Sequence, residues 1–140
     1  MSDDRDESAL IAAALAVRLN AYAPYSRFLV GAAIEADDGR VFAGCNVENV
    51  TYGLTRCAEQ VAVARAVSEG ARRFRRIAIA TDVEPPAVPC GMCRQVLVEF
   101  CDDLEILLVN PAGSVRRERL KVLLPGAFRP ADLLGPGPVS

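Results

Sequence analysis

Thr55-Arg56-Cys57-Ala58-Glu59-Gln60 and, further along, Pro89-Cys90-Gly91-Met92-Cys93 are the two stretches around which the chain is read. Thiolates are zinc ligands, and three of them leave a fourth tetrahedral position open for water, the pattern of a catalytic rather than a closed structural zinc. Cys90 and Cys93 lie one helical turn apart, so both side chains can face one point. Pro89 suits the start of a helix. Glu59 follows Cys57 by two positions and can serve as acid and base beside a bound water. Mid-helix, residues two apart diverge, so Cys57 and Glu59 can share a site only if Cys57 stands at the very start of its helix. The chain contains no histidine to compete for the acid–base role. Buried core thiols are the competing reading for Cys57, Cys90 and Cys93. The proline, the Cys-Ala-Glu partner and the missing histidine weigh against it. Cys45 and Cys101 fall at a strand end and a helix end and read as core residues.

Working outward, 140 residues suit one domain with one substantial core. Half the residues are apolar and about a quarter charged, a globular balance. A formal net charge of −2 makes the protein a poor generic binder of polyanions, so nucleic acid is not expected as a partner. The apolar stretch Ala9 to Val17 is too short to span a bilayer, so no membrane role is expected. The start Ser2-Asp3-Asp4-Arg5-Asp6-Glu7 is acidic, the reverse of a secretory leader. The expectation is a cytoplasmic protein, in which five cysteines serve as ligands, catalytic groups or core residues rather than as disulfides.

Residues 1–7 read as a loose start and 135–140 as a loose tail around a single domain spanning 1–140. From Ser8, Ile11, Leu15, Leu19 and Tyr22 recur at helical spacing until Pro24. Phe28 to Ala36 and Arg40 to Cys45 read as strands joined by the hairpin turn Asp37-Asp38-Gly39. Asn46 to Thr55 is a polar loop suited to binding. A helix from Cys57 ends at Gly70. Arg75 to Ala80 reads as a strand, Asp82 to Val88 as a loop, Cys90 to Phe100 as a helix and Leu104 to Val109 as a buried strand. Ser114 to Arg117 reads as a short edge strand, and Arg119 to Leu124 as one or two helical turns. This order implies an α/β fold with a mixed sheet and helices on both faces.

The two cysteine stretches resemble the zinc signature of nucleoside and nucleobase deaminases. The likeness extends to Tyr22-Ala23-Pro24-Tyr25-Ser26-Arg27-Phe28, Val30-Gly31-Ala32-Ala33, Gly44-Cys45-Asn46-Val47-Glu48-Asn49, Tyr52-Gly53-Leu54 and Ala66-Val67-Ser68-Glu69-Gly70. It also takes in Arg94-Gln95-Val96 after the second cysteine pair, and Leu123-Leu124-Pro125-Gly126-Ala127-Phe128. Over nearly its whole length the chain resembles the small, homotetrameric cytidine deaminases. The resemblance implies a three-layer α/β/α sandwich with a mixed sheet of about five strands. It implies one zinc per chain, held by Cys57, Cys90 and Cys93, with Glu59 shuttling protons between water, ring N3 and the leaving amine. It further implies that Asn46 and Glu48 bind the ribose hydroxyl and that Phe28 packs on the pyrimidine. The Ala58 amide and a backbone group beside Pro89 would read the base edge, with Tyr52 and Phe128 reaching in from neighbouring subunits. Taken by itself, Phe128 reads equally well as a core residue closing a C-terminal turn.

The implied reaction is hydrolytic deamination of cytidine and deoxycytidine in pyrimidine salvage. A deaminase of modified or drug-like cytosine nucleosides, of the blasticidin-deaminase kind, is the first alternative. The runs Arg72-Arg73-Phe74-Arg75-Arg76 and Arg116-Arg117-Glu118-Arg119 leave open a polynucleotide editor, although solvated surfaces explain them more simply. A non-catalytic zinc module is the third alternative. One position departs from the family. Its usual arginine after the glutamate, which donates to the zinc thiolates, is Gln60 here. Three thiolates outnumber the charge of zinc, so a compensating cation is expected at Arg94, with Arg56 as a substitute.

Overall fold

The computed structural model describes residues 2–135, with side chains from residue 6 onward. Most of the expected loose tail, residues 136–140, lies outside the described residues. The elements are α1 (Ser2–Arg18), β1 (Gly31–Ala36), β2 (Val41–Cys45), α2 (Ala58–Ser68), β3 (Phe74–Ala80), α3 (Gly91–Val98), β4 (Glu105–Val109), β5 (Val115–Arg119), α4 (Leu120–Leu123) and α5 (Pro130–Leu134). The strands form one mixed sheet in the order β2-β1-β3-β4-β5. Only β3 and β4 run parallel, with α3 as their crossover. The other three pairings are antiparallel.

The sheet is covered on both faces, which gives the three-layer arrangement. On one side Ile34, Ile77, Ile79, Ile106 and Leu108 pack with Ala58, Ala62 and Ala66 of α2 and with Leu97 and Val98 of α3. On the other, Ala33, Ala78, Ala80, Leu107 and Val109 meet Leu10 and Ala14 of α1. Because both faces are dry, β1 is buried at every position and shows no polar alternation.

The first helix departs from expectation. It begins at Ser2, so residues 2–7 are helical rather than loose, and it ends at Arg18. Its inward residues are Leu10 and Ala14, whereas Leu19 and Tyr22 are exposed. Backbone contact explains the choice of face. A Cβ on Gly31 would sit 2.1 Å from the Ala14 carbonyl oxygen, so α1 lies against bare main chain, and alanine and glycine set the contact. Tyr22 lies past the helix and forms a parallel bridge with Val47. The short α5 was not anticipated. Its signal is the pair Pro130 and Asp132, at the first and third helical positions.

A second close approach bears on function. A Cβ on Gly44 would lie 2.5 Å from the Ala62 amide nitrogen, so α2 rests directly on β2. Gly44→Ala is expected to push α2 off the sheet and to cost about 1–3 kcal/mol, as overpacking does. Gly53→Ala, where a Cβ meets nothing within 4 Å, leaves stability unchanged. Urea unfolding of the two variants side by side checks this, and equal midpoints would contradict it.

Candidate active site

Cys57 and Cys90 occupy equivalent places. Each is the extended residue that precedes a helix, with φ −73° and ψ 154° for Cys57 ahead of α2 and φ −68° and ψ 169° for Cys90 ahead of α3. Neither helix start has a side-chain cap. The first-turn amides of both therefore remain available, and both positive dipole ends face the same place. Cys57 thus meets the condition set by its spacing to Glu59. Cys93, in the first turn of α3, is fully buried, and Cys90 is exposed.

The three sulfurs lie within 4.8 Å of one another, the one such metal-ligand cluster among the described residues. The Cys90 thiol donates to Cys93 Sγ at 3.4 Å, and no disulfide joins them. Zinc–sulfur bonds of about 2.3 Å place tetrahedral ligands a little under 4 Å from each other. The donor set therefore fits a zinc ion without rearrangement of the backbone. The Cys57 thiol is held down to about 7, chiefly by its hydrogen bond with Cys93 and against burial and the charge of Glu59. The same bond pushes Cys93 up.

Glu59 stands in the first turn of α2, 5% exposed, with the Cys93 thiol beside it favouring its charged form. Burial raises its carboxyl above the ordinary carboxylate range. That is the direction required of a group that must both accept and return a proton near neutrality. Ala58 beside it is fully buried at the helix start.

The polar loop is tied to the segment that precedes β1. Asn46 Oδ1 accepts from the Val30 amide at 2.9 Å, and Asn46 Nδ2 donates to the Phe28 carbonyl at 2.8 Å. Glu48 accepts from the Tyr25 and Ser26 amides at 2.9 and 3.1 Å, and from the Ser26 hydroxyl. The Ser26 hydroxyl bond holds the Glu48 carboxyl below its usual range. Both side chains therefore shape the Tyr25–Val30 segment, and each keeps spare capacity: one amide hydrogen on Asn46 and acceptor positions on Glu48. Phe28 is 40% exposed. Tyr52, 75% exposed, packs edge-on against Tyr25 with centroids 6.0 Å apart. Phe128 is 63% exposed, which removes the reading of it as a core residue.

The expected charge compensation is corrected. Arg94 does not address the sulfurs. Its Nε donates to the Pro89 carbonyl at 2.9 Å and its guanidinium to the Leu123 carbonyl at 2.7 Å. One residue past Cys93, its side chain is turned about 100° around the helix, away from the cluster. Arg56 bonds the Gly53 and Thr55 carbonyls at 3.2 and 3.0 Å, while its charge lowers the Cys57 thiol. The side-chain donor that reaches a sulfur is Gln60, whose Nε2 lies 3.8 Å from Cys93 Sγ. The amide supplies the hydrogen bond without the charge.

A support that the sequence did not reveal fixes the approach to Cys90. Asn110, at the end of β4, is buried and donates to the Val83 carbonyl at 2.9 Å and to Glu84 at 3.0 Å. Thr81, at the end of β3, accepts from the Ala87 amide at 3.2 Å. Asn110 was legible only as a turn residue.

Residues 4–108 match the model of the cytidine and deoxycytidylate deaminase zinc-binding region. The chain belongs to that family. It is 46% identical over 129 residues to a cytidine deaminase of Sporosarcina psychrophila, covering 91% of this chain and 95% of the relative. It is 51% identical over 113 residues to the cytidine deaminase of Mycobacterium tuberculosis H37Rv, covering 81% of this chain and 82% of the relative. The crystal structure of cytidine deaminase from Burkholderia pseudomallei superposes with a TM-score of 0.83 at 50% identity. That match covers 86% of this chain and 98% of the other. The family's domain is zinc-binding, and the three-sulfur cluster is the group of residues here that could hold one such ion.

Proposed function

We propose that this chain is a zinc-dependent aminohydrolase that converts cytidine and deoxycytidine to uridine and deoxyuridine with release of ammonia, within pyrimidine salvage. The observation that carries the reading is the buried Glu59 carboxyl in the first turn of α2, beside three sulfurs gathered at two helix starts. Zinc would be held by Cys57, Cys90 and Cys93 and would supply the Lewis acidity that makes water a nucleophile at neutral pH. Glu59 takes the proton from that water and passes it to ring N3 as oxygen adds at C4. It then takes the remaining proton from the hydroxyl added at C4 and delivers it to the exocyclic nitrogen; the C4–N bond breaks as the C4=O bond forms, and ammonia leaves. The free amides at the start of α2, with Ala58 first, and the carbonyl beside Pro89 read the base edge. Asn46 and Glu48 bind the sugar with their spare hydrogen-bonding capacity, and Phe28 covers the ring. Gln60 supports the Cys93 thiolate, and Arg56 adds positive charge near Cys57.

The catalytic unit is a single domain, 1–140, working in the cytoplasm as a homotetramer whose sites receive Tyr52 and Phe128 from neighbouring copies. Both aromatics are largely exposed, and large exposed aromatics are common anchors of contacts. No helix among the described residues is long and apolar enough to cross a membrane. Ion pairing supports a nucleoside over a polynucleotide. Arg75 and Arg76 pair with Glu35, Arg116 with Glu118, Arg117 with Glu7 and Glu105, and Arg119 with Asp103 and Glu105. The second run is thereby largely neutralised, and of the first only Arg72 and Arg73 stay exposed outside these pairs, a small patch to meet phosphates.

Ammonia release from a panel of cytidine, deoxycytidine, blasticidin S, free cytosine and single-stranded oligodeoxycytidine tests the substrate class. The two nucleosides are expected to turn over and the oligonucleotide to be inert. Preference for blasticidin S or for the oligonucleotide would overturn the assignment. Sedimentation at assay concentration is expected to show a tetramer. A fully active monomer would remove the shared sites.

A further inference from the structure

The metal helix α3 holds the C-terminal segment as well as two cysteines. Gln95 Nε2 donates to the Phe128 carbonyl at 2.7 Å. The adjacent Arg94 donates to the Leu123 carbonyl at 2.7 Å and to the Pro89 carbonyl at 2.9 Å. On the far side, the Arg129 guanidinium binds the Cys101 and Asp102 carbonyls, both at 3.1 Å. The intervening Pro125-Gly126-Ala127 has no repetitive structure, and Gly126 takes a positive φ of 62°. The Phe128 ring is mostly exposed, so its own packing does not orient it. The Arg129 anchors keep the chain in place past the turn. The peptide that joins Phe128 to Arg129 is held at both ends, its amide donating to Asp132 Oδ2 at 2.7 Å and its carbonyl accepting from Gln95, and Gln95 is the end that ties it to α3.

We propose that Gln95 is a positioning residue for substrate binding, fixing the Phe128 peptide so that the ring is presented to the nucleoside site of a neighbouring copy. This rests on the shared-site reading given above. Arg94 also touches Pro89, next to a ligand, so changing it disturbs the zinc site as well. Gln95 bonds only the far segment and allows a clean test.

The test is a double-mutant cycle on cytidine kinetics with Gln95→Met, which keeps the length and loses the donor, and Phe128→Ala. Gln95→Met is expected to raise KM about 3- to 10-fold, the factor that one net hydrogen bond supplies, with kcat and zinc content unchanged. In the Phe128→Ala background it is expected to add nothing, because Gln95 acts through that ring. Gln95→Glu, polar and of equal size but unable to donate while ionised, gives the same reading if the methionine variant does not fold. If Phe128→Ala raises KM and the Gln95 variants do not, the inference is overturned and the shared site stands. A full additional penalty in the Phe128→Ala background overturns it as well. If Phe128→Ala leaves KM unchanged, the shared-site reading fails and the inference fails with it.

Discussion

Glu59→Gln is expected to bind zinc, to keep the wild-type unfolding midpoint to within a few degrees, and to lose turnover of cytidine by at least about 10²–10⁴-fold, the contribution of a positioned acid–base group. The substitution is isosteric. The side chain is 5% exposed at the start of α2, and its burial already opposes the charged form, so a neutral amide does not strain the fold. What the amide cannot do is take a proton from water and give it back. Glu59 is the carboxyl whose charge acts on both Cys57 and Cys93, so no neighbour is placed to replace it. Zinc content by mass spectrometry, a thermal scan and steady-state kinetics on one preparation make the measurement. Retention of most of the wild-type rate would show that Glu59 is not the proton carrier.

Cys93→Ala is expected to lose the metal. Cys93 is the most buried of the three ligands and touches Cys57, Cys90, Glu59 and Gln60, so it is the hub of the cluster. Outer partners of a metal site typically contribute about 10–100-fold in affinity, and a direct ligand contributes more. Zinc should therefore dissociate during ordinary desalting, and activity should go with it. Cys101→Ala is the matched control. That thiol is also buried, which pushes it up to about 12, but it lies in the core outside the cluster. The control is expected to lose some stability and to keep its zinc. Full zinc content in Cys93→Ala, or loss of zinc in Cys101→Ala, would place the metal elsewhere.

The succession of strands along the chain and the two cysteine-bearing helices were readable because their signals are local. Gly39 in a hairpin turn, Gly70 after a helix, and cysteines one turn apart behind a proline each declare the backbone that they need. The inward face of α1 was not readable from large apolar residues. Its contact with the sheet is main chain against Gly31, and alanines carry little hydropathic signal. Leu19 and Tyr22 completed the helical spacing but lie beyond the last turn. At the site, the clustering of Cys57, Cys90 and Cys93 beside Glu59 was legible, because their residue types and spacing point to one use. Arg94 was not. Its acceptors are main-chain carbonyls, and Leu123 is distant in sequence, so nothing in the composition marks it. Gln60 looked like a lost cation, yet it is the side-chain donor that lies against the Cys93 sulfur. Asn46 and Glu48 were read as sugar ligands only. What the structure shows is that they brace the Tyr25–Val30 segment that precedes β1, which places Phe28.

The most direct measurement is a zinc titration of metal-free protein, followed by the conversion of cytidine to uridine and the ammonia released. Activity is expected to be absent without metal, to rise linearly with added zinc and to saturate at one zinc per chain, with uridine and ammonia formed in equal amounts. Full activity in rigorously metal-free protein, or no turnover of cytidine once one zinc per chain is bound, would contradict a zinc-dependent cytidine deaminase built on Cys57, Cys90, Cys93 and Glu59.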